Sequence, residues 1–150
     1  MDKDFLDIVK IKGNLEVMHY RGGVEIDRRV IHNIICNAGI AKIAGLVDGS
    51  ATGGFGYMAT GTGTVAAAAT DTALGAEVMR VASTNTLVTK NVTNDTAQFV
   101  GVFDYTATYA ITEAGVFDAS TAGNLLAHQV FAAVNVVSGD SIQITWQVTA

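Results

Sequence analysis

The stretch GTGTVA, from Gly61 to Ala66, has the G-x-G-x-x-G/A spacing of a dinucleotide-binding turn. In such a turn the glycines let backbone N–H groups approach a pyrophosphate, and the N-terminus of the following helix receives the negative charge. That chemistry requires a strand before the turn, a long helix after it, and an acidic residue about 20 positions downstream. A strand is available at Phe55–Thr60, but no long helix follows. Thr64-Val65-Ala66 runs into Thr70-Asp71-Thr72 and soon meets Gly75. A phosphate loop of the Walker type also fails. Gly56 and Gly61 have its spacing, but Thr62 and Gly63 stand where Lys and Ser or Thr are required. The stretch therefore reads as a flexible turn leaving a buried strand, and no nucleotide or other cofactor is expected.

The remaining reactive side chains are scattered. His19, His32 and His128 form no H-x-H or H-x-x-x-H pair, so no metal is expected, and each reads as a surface or half-buried, hydrogen-bonded ring. The single cysteine, Cys36, makes neither an internal disulfide nor a cysteine-rich zinc site, and reads as a small buried apolar residue. Asp104 and Glu113 could face each other across strands, but a solvated face or a turn explains them more simply. Glu113 is the sharpest of the acids, because it lies inside the apolar run YAITEAGVF, Tyr109–Phe117. A carboxylate buried there must be paired or capped; the expected role is to accept backbone N–H groups in a turn near Gly115. No G-x-S-x-G elbow or other nucleophile constellation is present, so the chain reads as catalytically silent.

Composition narrows the partners. The 150 residues are 49% hydrophobic and only 15% charged, with a net charge of −5 and no proline. Residues 1–30 carry six Lys or Arg and six Asp or Glu. Lys90 is the last basic residue, and the stretch from Asn91 to Ala150 holds five acids and no Lys or Arg. That half cannot track the phosphates of nucleic acid, which need clustered cations. The opening residues, MDKDFLDIVKIKG, lack the basic-then-apolar layout of a signal peptide, and no apolar run approaches the roughly 20 residues of a membrane span. In this setting the sequons at Asn91 and Asn94 read as chance. Sparse charge on an Ala-, Val-, Thr- and Gly-rich chain points instead to protein contacts.

The elements that must position these groups are mostly strands. Ile142, Ile144, Trp146 and Val148 alternate with polar residues over Ser141–Thr149, the period of a strand with one buried face. Leu6–Lys12 and Leu15–Tyr20 flank Gly13-Asn14 as a hairpin. Gly22-Gly23 turns the chain into Val24–Ile31. Thr86–Val92 and Ala97–Thr106 flank Asn94-Asp95 as a second hairpin, and Tyr109–Phe117 and Leu125–Val136 follow. One helix is expected over Asn37–Val47, with Asn37 as its N-cap, Ile40, Ile43, Ala44 and Val47 on its inner face, and Asp48-Gly49 as its stop. It should cover an open end or edge of the sheet. A second short helical turn is expected at Asp71–Val78. The fold class is all-β: an antiparallel β-sandwich, jelly-roll-like, with one short α-helix. Residues 1–36 read as an N-terminal arm or hairpin region of the same domain, and 37–150 as the sandwich.

Several blocks resemble small accessory virion proteins of tailed bacteriophages. They are Asn37-Ala38-Gly39-Ile40-Ala41, then Tyr57–Gly63 with Ala68–Glu77, then Ile111–Ala119, Leu125–Phe131 and Val134–Trp146. Together they span residues 37–146. Such sequences occur in head-associated proteins and within tail-fibre or baseplate proteins. The resemblance implies a virion structural protein made in the bacterial host cytoplasm, and it carries no catalytic residue across. A chain of this length is short for a complete receptor-binding fibre, which favours a capsid decoration (cement) protein on the outer head surface; a tail-fibre or baseplate protein is the alternative. The partners then expected are the major capsid protein and further copies of the chain, a trimer first, with neither nucleic acid nor membrane. Lys3, Lys10, Lys12, Arg28 and Arg29 are the residues expected to meet an acidic capsid surface.

Overall fold

The computed structural model describes residues 10–150. Among these residues, ten strands form two five-stranded antiparallel sheets. They are β1 (Lys12–Arg21), β2 (Val24–His32), β3 (Ile34–Ile35), β4 (Tyr57–Gly61), β5 (Glu77–Ala82), β6 (Thr84–Val88), β7 (Thr96–Asp104), β8 (Tyr109–Phe117), β9 (Leu125–Val136) and β10 (Ser141–Thr149), with one helix, α1 (Asn37–Asp48). Sheet I runs β2-β1-β10-β7-β6, and sheet II runs β3-β9-β8-β4-β5. The fold is an all-β sandwich. A single residue, Asn33, carries the chain from the edge of sheet I to the edge of sheet II on one flank, and Ser83 carries it back on the other.

The core lies between the sheets and follows the two-residue period. Ile142, Ile144, Trp146 and Val148 all point inward, and Trp146 is fully buried. Leu15 and Val17 flank them from β1, and Phe99 and Phe103 from β7. The indole N–H of Trp146 donates to Asn33 Oδ1 at 2.9 Å, so the corner residue also satisfies the one polar atom of the largest core side chain. A smaller apolar cluster of Cys36, Ala59, Leu74, Phe117 and Leu125 packs on the other side of sheet II.

Several turns match their residue types. Gly22 and Gly23 both have positive φ, 58° and 75°, as a tight two-residue hairpin between β1 and β2 demands. The β6–β7 hairpin closes over Asn94, whose φ is 62°, with the Asp95 carboxylate accepting the N–H groups of Lys90, Asn91 and Val92.

Other expectations need correction. Gly13-Asn14 is not a turn. Both residues sit inside β1, opposite Val148 and Gln147, while most of the strand expected at Leu6–Lys12 lies outside the described residues. Gly13 is glycine for a different reason: a Cβ there would collide with the side chain of Asn33. Asp71–Val78 forms no helical turn, because Asp71 directs its carboxylate to the Ala68 N–H and to His128, and the chain is extended from Glu77 as an edge strand on β4.

The helix is present, but its cap and its buried face differ from expectation. Cys36, still extended, is the N-cap residue and makes no side-chain cap; Asn37 is already helical. A buried cap position against sheet II suits a small apolar side chain, and the Asn37 N–H is satisfied by the Ala69 carbonyl. The buried face runs through Gly39, Lys42 and Ile43, while Ile40 and Val47 point to solvent. Close approach decides this orientation: a Cβ at Gly39 would lie 2.6 Å from Leu126 Cα, so only this glycine lets the helix rest on the start of β9. Gly49, with φ of 80°, ends the helix.

Candidate functional site

The glycine-rich stretch does cradle an anion, and the anion belongs to the protein. Glu113 projects from β8 with no exposed surface. Its Oε2 accepts the N–H of Gly63 at 2.6 Å and of Ala76 at 2.8 Å, and its Oε1 accepts the N–H of Gly75 at 2.8 Å. Oε1 also lies 3.0 Å from His128 Nε2. A Cβ at Gly61 or Gly63 would strike this carboxylate, so the glycines leave room for it to reach the backbone. The Thr112 hydroxyl donates to the Gly63 carbonyl at 2.6 Å and ties the loop down from the preceding residue of β8.

His128, buried on β9, bridges two carboxylates. Its Nδ1 lies 2.7 Å from Asp71 Oδ2, and Asp71 in turn accepts the Ala68 N–H at 2.7 Å. The chain Asp71–His128–Glu113 therefore pins both ends of the segment 62–76 to sheet II. Burial pushes the Glu113 carboxyl up, but the N–H groups of Ala76 and Gly75, the ring of His128 and the N–H of Gly63 together hold it below its ordinary range. Asp71 is held low chiefly by the Ala68 N–H, with His128 adding to the effect against the opposing cost of desolvation. Cys36 lies beside the cluster, and burial together with Asp71 pushes its thiol up to about 11, which keeps it protonated and inert at neutral pH.

Glu113 was expected to accept backbone N–H groups, and it does. The donors are the distant Gly63, Gly75 and Ala76, not a turn near Gly115. Asp104 does not face it: Asp104 is exposed at the end of β7 in sheet I, and Glu113 is buried in sheet II. Every strong acceptor position of Glu113 is occupied and the residue is closed to solvent. The arrangement fastens the loop to sheet II.

A second buried cluster sits at the C-terminal end of β1. Asp140, 2% exposed, accepts from Arg21 Nε and Nη2, both at 2.9 Å, and from the Val137 N–H at 3.0 Å, with His19 Nε2 at 2.8 Å. Arg21 is the main reason that its carboxyl lies well below the usual range. His19 and His128 are thus buried and paired, more enclosed than the sequence implies. No group of three metal-binding side chains is positioned to hold an ion among the described residues.

The structure separates the cations expected to meet a partner. Lys3 lies outside the described residues. Arg28 and Arg29 are mid-strand on β2 and already engaged. Arg28 pairs with Glu16 and Glu25; Arg29 pairs with Asp27 at 3.0 Å and donates to the carbonyls of Ala132 and Ala133. Lys10 and Lys12 are exposed at the start of β1. Arg28 pairs in register with Met18, which places it about 20 Å along the sheet from Lys12 at ~3.3 Å per residue. Lys12 is instead close to two residues that were not among those expected to meet a partner. His32 and Lys90 line one groove with it, together with Asn14, Asn91 and Thr149. Nothing in the linear order of Lys12, His32 and Lys90 signals their convergence.

No family model, no curated protein and no solved structure matches the chain.

Proposed function

We propose that the chain is a structural protein of a tailed-bacteriophage virion, acting as a decoration (cement) protein on the outer surface of the head. The observation that carries this reading is the outer face of sheet I. Strands β10 and β7 lie side by side in its middle and present Gln143, Thr145 and Gln147 beside Gln98, Val100 and Val102. Gln147 and Gln98 bond to each other at 2.8 Å, so part of the polar surface is satisfied within the sheet. A face meant only for water usually carries Lys and Glu; one made of Thr, Gln and Val costs less to desolvate against a partner. The resemblance of residues 37–146 to accessory virion proteins supplies the kind of partner: a capsid subunit, with further copies of the chain as neighbours in a symmetric oligomer, a trimer first. Many modest contacts repeated over a shell would resist the pressure of packaged DNA, because linked contacts multiply.

Purified protein is expected to bind expanded heads that lack it and to raise their disruption temperature. Cryo-microscopy of the intact particle is expected to show it distributed over the shell. Density confined to the tail tip or baseplate would replace the head assignment with the tail-fibre one.

A further inference from the structure

The cations of this chain divide into two groups. Arg21, Arg28, Arg29, Lys42 and Arg80 each lie within ion-pair distance of a carboxylate: Asp140, Glu16, Asp27, Asp118 and Glu77 respectively. Lys10, Lys12 and Lys90 have no such partner among the described residues, and all three are exposed. Lys90 is far from Lys12 in sequence but lines the same hollow in the fold. Lys12 opens β1 opposite Thr149, the last residue of β10, and Asn14 pairs with His32 at the end of β2. Thr149 pairs with Thr96, and Lys90 lies in the turn that leads into that strand. One end of sheet I thus gathers the lysines that make no ion pair among the described residues, in a chain whose net charge is −5.

Asp95 brings one negative charge to this end but forms no ion pair with a lysine ammonium among the described residues. Its two oxygens accept the N–H groups of Lys90, Asn91 and Val92 at 2.9–3.0 Å. The ground between the cations is concave. The hollow walled by Lys12, His32 and Lys90 shares Lys12, Gly13 and His32 with a neighbouring hollow lined by Ile34 and Ile35, which in turn shares His32, Asn33 and Ile34 with a third lined by Gln129 and Val130. Together they are cationic at one end and more apolar at the other.

We propose that this groove docks an acidic, extended segment of a partner protein, its carboxylates beside Lys12 and Lys90 and its following apolar residues toward Ile34. Nucleic acid is the poorer occupant. A phosphate backbone repeats its charge at every step, and beyond this one end the described surface offers cations already matched to carboxylates. An acidic segment of a few residues needs only the local patch. Exposed pairs of this kind are individually weak, so the groove steers and selects, and a repeated array supplies the strength. As to the partner's identity, the proposal rests on the virion reading, where the segment belongs to a capsid subunit; the groove's preference for acidic peptide can be measured without it.

Fluorescence anisotropy with a labelled oligoglutamate peptide of about ten residues tests the groove itself. The wild-type chain is expected to bind it, with affinity falling about tenfold or more in the double variant Lys12→Glu, Lys90→Glu and again on raising the salt severalfold. Arg28→Ala is expected to leave affinity unchanged. Circular dichroism and thermal melting establish that each variant is folded. The proposal fails if the wild type does not bind, if the double variant binds equally well, if Arg28→Ala is the damaging change, or if an oligothymidylate of equal length binds more tightly. Heads lacking the protein then separate the two readings. Wild-type binding to heads that survives the double charge reversal overturns the groove and keeps the virion role. Selective peptide binding without any head binding keeps the groove and removes the head assignment.

Discussion

Glu113 shows how much one buried carboxylate can organise. Its oxygens collect three backbone N–H groups and one imidazole from segments far apart in the chain. Glu113→Ala would leave those donors buried and unpaired. Removing one partner of such a cluster costs about 3–5 kcal/mol, and chemical denaturation with circular dichroism readout is expected to show a loss of that order. Trp146 offers a parallel test in the main core. Trp146→Ala should cost about 3–5 kcal/mol through lost packing. Trp146→Phe keeps most of the packing and removes the hydrogen bond to Asn33, so its polar share of the loss should be nearer ~1 kcal/mol, read from the same denaturation curves.

Two elements owe their position to glycines that turn nothing. Gly39 lets α1 lie on Leu126, and Gly63 lets the loop after β4 close over Glu113. A methyl group at Gly63 would meet the carboxylate and push the loop outward while leaving both sheets intact. Gly63→Ala is therefore expected to speed hydrogen exchange at the Gly75 and Ala76 amides by roughly tenfold or more, with little change in the strands of sheet I. Equal loss of protection throughout would mean that the segment 62–76 is part of the global folding unit and not a latched covering. The helix makes the same point about stripes. Ile40, Ile43, Ala44 and Val47 form an apolar stripe, yet the face that packs is centred on Gly39 and Ile43, because the backbone must come closest there.

For the molecule as a whole, the acids set the response to pH. Glu113, Asp71, Asp118 and Asp140 all ionise more readily in the folded chain than their ordinary values suggest. For Asp118, burial opposes the shift and the Lys42 ammonium at 2.7 Å, with Asn124, outweighs it. Each carboxyl so depressed binds its proton more weakly when folded, so falling pH protonates the unfolded chain first. The stability these groups contribute is complete above the unfolded carboxyl range, near pH 4, and is lost as pH falls through the lower folded values. Thermal melts across this window are expected to show the melting temperature dropping below about pH 4, with a shallower slope for Asp140→Asn than for the wild type. An unchanged slope would mean that the Arg21–Asp140 pair contributes nothing to the acid transition.

Local pattern alone was enough for most of the sandwich. Strict alternation at Ser141–Thr149, the paired glycines after Arg21 and the apolar runs Tyr109–Phe117 and Leu125–Val136 each name a strand or a turn, because residues two apart share a face and glycine tolerates positive φ. It was also enough to single out Glu113, since a carboxylate in an apolar run must find donors. The sequence could not say which donors, nor that Asp71 and His128 would complete the cluster. Those partners lie 15 to 50 residues away, and strand register rather than sequence spacing brings them together. Gly13 was misread for the same reason: a glycine required by a neighbour's side chain looks identical, along the chain, to one required by a turn. The groove of Lys12, His32 and Lys90 likewise exists only where the ends of β1 and β2 and the turn before β7 meet. Short-range periodicity is written into neighbouring residues; the meeting of distant side chains depends on how two sheets and their crossings close, and that is fixed only when the whole core packs.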